Sequence, residues 1–330
     1  MYYLERLFEV DYKKMFLTIG KIAKRSGKPY LFILFDVLIC SIKYGAGYMD
    51  YFQFFFENLS SSQRATYITR TVNNRYYKAL NDSSYYHYFN NKHEFLSTFN
   101  KYIKRDYLLL SDNYDEFLSF VSKHQEFIAK PDNGLCGIGV ELIDSSKYDL
   151  KALYKKLVDN KQNLLEERIV QDERMSKLYP CAINTLRVVT INKNGKVSVP
   201  FVCLRIGTGG RNVDNFHAGG CFSPVDDDGI IRKKAIDKEN RVYEIQPDTK
   251  VSIVGFEVPM FNEVIKQCKE MATVIPEVGY IGWDMAISEK GIDVVEGNQL
   301  PGYDVYQSYP HLDKNMCGLK PKFDKAIYGE

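Results

Sequence analysis

Two short apolar segments near the C-terminal end, GYIGWDMAIS (279–288) and IDVVEGN (292–298), constrain the chain most. Each reads as a buried strand, yet each carries a carboxylate, Asp284 in the first and Glu296 in the second. A lone buried carboxylate costs several kcal/mol unless something pairs with it. The spacer SEKG (288–291) has the make-up of a tight turn, so the segments should pair as an antiparallel hairpin, with Asp284 and Glu296 facing each other. Period-two alternation puts Glu296 and Asn298 on one face. Three oxygen-bearing side chains then converge, a hard-ligand set that suits Mg²⁺ better than zinc. The alternative is a pair of strand-end carboxylates facing solvent.

Two earlier stretches add to this. In KPDNGLCGIGVELI (130–143), Lys130 ends an apolar strand and Gly134, Gly137 and Gly139 follow in a turn that leads into a second strand. Glycines let backbone N–H groups approach an anion, and the lysine supplies charge. The lysine precedes the glycines and a strand follows them, so this is neither a P-loop nor a dinucleotide fingerprint. An ordinary hairpin turn, or a flap closing over a nucleotide, remains open. In LLEERIVQDE (164–173), a strand ends in Glu166 and Glu167, with Asp172 and Glu173 beyond. Such an end offers main-chain groups to a purine edge and a carboxylate to ribose hydroxyls; a solvated acidic junction is the competing reading.

The texture of the chain changes along its length. Residues 1–90 read as helical and rich in aromatics, and YMDYFQFFFENL (48–59) suits either a packed core or a surface touching a membrane or partner. Residues 125–171 read strand, turn, strand, helix, strand. Residues 183–300 read mostly as strands, with NGK and DDDG as turns and one helix over 259–275. Short strands joined by hairpins predict an α+β fold rather than a doubly wound sheet. The net charge of +2 by itself implies neither a nucleic-acid partner nor an anionic membrane. Seven scattered cysteines without a CxxC pair point to reduced thiols in a cytoplasmic protein. The run LFILFDVLIC (31–40) is too short to span a bilayer.

In this order, these motifs resemble the ATP-grasp family, and within it the sugar-transfer-associated group of polysaccharide-biosynthesis loci. The segments YPCAINTLRVVT, VDNFHAGG, YIGWDMAI and VVEGNQLPGYDVYQ are similar to that group's signatures, as is the DVLIC-x-x-x-YG pattern spanning Asp36 to Gly45. The resemblance implies two α+β subdomains clamping ATP, preceded by an aromatic-rich helical region. It implies three regions: 1–90 as a cap or docking region, 91–172 as the small subdomain with the flap, and 173–330 as the large subdomain. Lys92 and Lys130 would steady the phosphates. Glu166, Glu167, Arg168 and Ile169 would form the adenine hinge, with Glu173 on the ribose. Asp284, Glu296 and Asn298 would carry two Mg²⁺ ions. Many ligases of the superfamily place an arginine two residues before the metal aspartate; here that position is Gly282. Arg187 and Arg205 are the substitutes for holding the reacting carboxylate, unless each pairs with a structural carboxylate, and Asn215 would contact phosphate or acceptor.

The implied activity is ATP-dependent carboxylate–amine ligation through an acyl phosphate. It would join an amino acid to a sugar or uronic acid, free or carrier-linked, in capsular or other surface polysaccharide assembly. Peripheral association with membrane glycosyltransferases, at the inner face of the membrane, goes with it. Two alternatives remain: a sugar or small-molecule kinase on the same fold, with His217 or Asp214 as base, and a non-catalytic ATP-binding partner of a glycosyltransferase complex.

Overall fold

The computed structural model describes residues 11–131, 139–210 and 219–329. Gly134, Gly137 and Asn215, together with Asp214 and His217, lie outside the described residues. The chain forms two compact units. One runs through Asn81 and takes in the chain from Leu300 onward; the other is Asp82–Gln299.

The first unit is helical. Asp11 caps the helix Tyr12–Ser26 by accepting from the Lys14 amide, and Gly27, in the left-handed conformation at φ 69°, ends it. A second helix, Tyr30–Tyr44, contains the apolar run and ends at Gly45 in the same way. Its one carboxylate, Asp36, is neutralised internally: Arg64 pairs with it at 2.7 Å, and the Tyr51 hydroxyl donates to it at 2.7 Å. The aromatic stretch over 48–59 goes into the core. Its helix stops at Gln53, Phe55 turns the chain at φ 53°, and Tyr51, Phe54 and Phe56 are fully buried against Ile19, Ile33 and Tyr67. Among the described residues, no helix is long and apolar enough to cross a membrane.

The second unit is α+β and holds two antiparallel sheets. The smaller consists of β1 (Tyr107–Leu109), β2 (Glu126–Lys130), β3 (Glu141–Asp144) and β4 (Leu164–Glu167), in the order β1-β4-β2-β3. Helices Tyr114–Lys123 and Leu150–Asp159 pack on it through Phe117, Phe120, Leu153 and Leu157 against Phe127, Ile143 and Leu165. The larger consists of β5 (Leu186–Lys193), β6 (Lys196–Ile206), β7 (Cys221–Pro224), β8 (Ala235–Asp237), β9 (Val242–Tyr243), β10 (Tyr280–Ser288) and β11 (Gly291–Asn298). Its order is β11-β10-β5-β6-β7-β8-β9. Asn194 and Gly195, both at positive φ, form the β5–β6 turn, as an Asn-Gly pair favours. Every residue of β10 is buried. The helix Phe261–Met271 packs Val264, Cys268 and Met271 into the same core as Val188, Ile281 and Trp283.

Candidate active site

The register of the large sheet lines up its charged residues. Arg187 on β5 lies opposite Asp284 on β10, and Asp284 lies opposite Glu296 on β11. Gly282 lies opposite Asn298. A β-bulge creates this arrangement. From the Ser288–Gly291 turn the pairing runs regularly to Met285 opposite Val294, and then slips by one residue so that Asp284 meets Glu296. Without the slip, Asp284 would meet Val295, and Glu296 would share the core face of Trp283. The bulge moves Glu296 and Asn298 onto the face of Asp284, the kind of local re-aiming for which bulges serve.

Asp284 is nearly inaccessible, at 2% exposure, and both of its carboxylate oxygens are engaged. The Arg187 Nε donates to Oδ1 and its Nη2 to Oδ2 at 3.0 Å; Arg205 Nη2 reaches Oδ2 at 2.7 Å. Arg205 stands two residues beyond Cys203, the β6 partner of Arg187, and so projects from the same face. Its guanidinium also donates to the Thr185 hydroxyl at 2.9 and 2.7 Å. Burial alone would raise the Asp284 pKa, but the two guanidiniums outweigh it and hold the carboxyl well below the usual range. Glu296 behaves oppositely. It keeps access to solvent at the end of its strand, yet crowding by protein atoms and the neighbouring Asp284 charge push its pKa up. Asn298 Nδ2 lies 3.2 Å from Glu296 Oε1 and 3.4 Å from the Gly282 carbonyl, which it approaches where no side chain intervenes.

A second charged group forms where the small sheet meets β11. Lys130 Nζ pairs with Glu166 Oε2 at 2.6 Å, although the two residues are on different strands and out of register. Arg105, 5% exposed, donates to Glu166 Oε1 at 3.0 Å, to Asp293 Oδ1 at 2.6 Å and to the Val294 carbonyl at 2.9 Å. Burial would raise the pKa of Glu166, but Arg105 and Lys130 bring it down to about 2. Asp293 lies opposite Ala286, so it shares the sheet face of Asp284 and Glu296. Arg105 therefore ties the end of β4 to the face that carries the carboxylate row.

The other expected residues among those described have contacts of their own. Lys92, on the helix Lys92–Thr98, donates to the Pro131 carbonyl at 2.7 Å, next to Lys130. Gly139 sits at φ 77°, and a Cβ there would meet Pro131 Cγ at 2.8 Å. Glu167 is held by Lys290 Nζ at 2.5 and 2.6 Å and by the Asp106 amide at 2.9 Å. Arg168 is exposed and pairs with Glu126; Ile169 is half-buried. Glu173 is exposed at the start of the helix Glu173–Leu178, paired with Lys177 at 2.7 Å. Sequence reasoning passed over Arg105, Lys290, Thr185 and Asp293. Asp293 had a visible signal, a carboxylate within an apolar strand. The others had none, because their partners are 20 to 188 residues away.

The sugar-transfer associated ATP-grasp family model matches residues 71–309, more than half of the chain. The chain belongs to this family. This ATP-grasp protein is similar, at low identity, to several solved structures. D-alanyl-alanine synthetase A from Vibrio cholerae is 13% identical with a TM-score of 0.45, over 73% of this chain and 65% of that one. The ATP-grasp ligase PsnB, complexed with its minimal precursor, is 14% identical with a TM-score of 0.45, over 76% and 64%. N5-carboxyaminoimidazole synthetase from Staphylococcus aureus, complexed with ADP, is 14% identical with a TM-score of 0.43, over 68% and 50%. The chain thus spans less than two thirds of the length of each of these three proteins. Among curated proteins, none matches it.

Proposed function

We propose that this ATP-grasp protein is an ATP-dependent carboxylate–amine ligase. The observation that carries the reading is the row Arg187–Asp284–Glu296, with Arg205 and Asn298 on the same face. Glu296, whose pKa is raised by burial and by the neighbouring Asp284 charge, would gain from a cation, whereas Asp284 already faces two guanidiniums. Glu296 and the Asn298 amide oxygen, with Asp284 once an arginine yields one of its oxygens, would suit divalent magnesium, which binds through a few carboxylates and shares its shell with phosphates. Bound there, magnesium would neutralise phosphate charge during transfer.

The residues of the chain supply the rest. Lys130 and Lys92 stand together beside the Gly139 turn, where they can bind the triphosphate. The β4 end, held by Arg105 and Lys290, presents main-chain groups of Glu167 to Ile169 to the purine, with Glu173 beyond for the ribose. In the first step a carboxylate oxygen of the acceptor forms a bond to the γ-phosphorus, the bond from that phosphorus to the β-bridging oxygen breaks, and ADP leaves. In the second step an amine attacks the acyl carbon, loses a proton, and inorganic phosphate departs. Arg187 and Arg205 place positive charge where the carboxylate and its tetrahedral adduct would lie, while Asp284 keeps both guanidiniums in position. Asn215 would add a polar contact to phosphate or acceptor.

The substrates proposed are an amino acid and a sugar or uronic acid, free or on a nucleotide or lipid carrier, in surface-polysaccharide assembly, with the protein peripheral to membrane glycosyltransferases. ADP release is to be measured over a panel of amino acids and sugar acids, with hydroxylamine present. Hydroxamate formation that depends on ATP and is lost in Glu296→Gln is the expected result. ADP release without hydroxamate would point to phosphorylation of a hydroxyl instead.

A further inference from the structure

We infer that the helices Tyr12–Ser26 and Tyr30–Tyr44 form a surface that docks on an anionic lipid bilayer. The helix Tyr30–Tyr44 is apolar on two opposite sides. Ile33, Val37 and Cys40 enter the core of the first unit. Facing away from them, Leu31, Phe32, Phe35, Leu38, Ile39 and Ile42 are exposed, with Ile42 at 80% and Leu31 at 63%. At roughly 100° per residue, these six fall within an arc of about 120°, one continuous stripe. On the preceding helix, Phe16 and Leu17 are exposed as well. Folded proteins rarely leave so large a contiguous apolar patch in water unless it binds something.

Charge identifies the occupant. Lys13, Lys14, Lys21 and Lys24, all on the helix Tyr12–Ser26, are exposed, and among the described residues no carboxylate pairs with them. Of the neighbouring described acids, Asp36 is paired with Arg64 and Glu57 with Arg25, while Asp11 caps the helix Tyr12–Ser26. An apolar stripe beside exposed lysines is complementary to acyl chains beneath anionic headgroups. A second copy docking face to face would set the same lysines against one another. At a 1.5 Å rise, 15 residues reach about 22 Å, short of the roughly 30 Å hydrocarbon core, so the helix lies in the interface rather than crossing it. The inference deepens the peripheral placement proposed above and rests on it only for where the acceptor is met.

The test is co-sedimentation of the full chain, without nucleotide, with vesicles of phosphatidylcholine alone or with about one third phosphatidylglycerol. The protein should partition onto the anionic vesicles and be released by high salt. Lys13→Glu/Lys21→Glu/Lys24→Glu should weaken partition by about a hundredfold or more, since each lysine near the surface is worth about fivefold. Leu31→Ser/Phe35→Ser/Ile42→Ser should abolish it while leaving cooperative unfolding intact. The inference fails if the wild-type protein stays in the supernatant, if the serine variant partitions as the wild type does, or if the protein is a dimer that the serine variant dissociates and no vesicle takes up. ADP formation from soluble substrates is read separately, so either reading can fail without the other.

Discussion

Replacing Arg105 with methionine should destabilise the second unit by about 3–5 kcal/mol at neutral pH, the range for breaking a buried ion cluster by removing one partner. The structure supports that size. Glu166 is buried, and Arg105 and Lys130 together bring its pKa from 4.5 to about 2. At 1.36 kcal/mol per unit this is roughly 3 kcal/mol of linked stability, of which Arg105 carries a share. Removing Arg105 also leaves Asp293, whose pKa burial already raises, without its guanidinium. The pH dependence has a definite sign. A folded pKa below the unfolded value gives stability that is present above about pH 4.5 and lost as pH falls toward 2. In the variant, both acids can take up protons, so its deficit should shrink as the medium is acidified through that window. Urea denaturation can be followed by the fluorescence of Trp283, the one tryptophan of the chain, buried in the large-sheet core. A deficit below about 1 kcal/mol, or one that is the same at pH 7 and pH 3, would refute the view that this cluster is an electrostatic tie between the two sheets.

Other substitutions test other parts. Glu296→Gln should lower ADP formation by about 10²–10³-fold, the loss typical of removing one preorganised charge-stabilising group, while stability at neutral pH stays equal or rises because a like-charge neighbour of Asp284 is gone. A melting temperature clearly below that of the parent would count against this reading. Gly139→Ala should cost about 1 kcal/mol or more, from its positive φ and the Pro131 contact, and should weaken ATP binding in calorimetry if the turn closes over phosphate. Trp283→Phe removes the donor that reaches Thr190 Oγ1 at 2.9 Å, so a loss of about 1–3 kcal/mol is expected in thermal unfolding.

Much of this molecule is readable in its sequence because the relevant interactions are local. The hairpin 280–298 follows from two apolar runs around SEKG, and the β5–β6 turn from Asn194-Gly195. The small-sheet order of strand, turn, strand, helix, strand over 125–171 follows from hydrophobic period and glycine placement. The helical N-terminal region was equally legible, and its aromatics over 48–59 proved to be core. The sequence could not show that the apolar run 31–40 would turn five of its residues outward, since period alone does not say which face meets the core.

The amino-acid order alone determined the elements, the family resemblance and the carboxylate-bearing strands, because backbone propensity and turn chemistry act over a few neighbours. Tertiary structure decided three things. A single bulge at Asp284 places Glu296 and Asn298 on its face, and one residue of slip reverses every side chain. Arg105 joins partners 61 and 188 residues away. The chain from Leu300 returns to the helices of the first unit. Each depends on contacts between distant segments, whose free energy exists only once the chain has closed the loops between them.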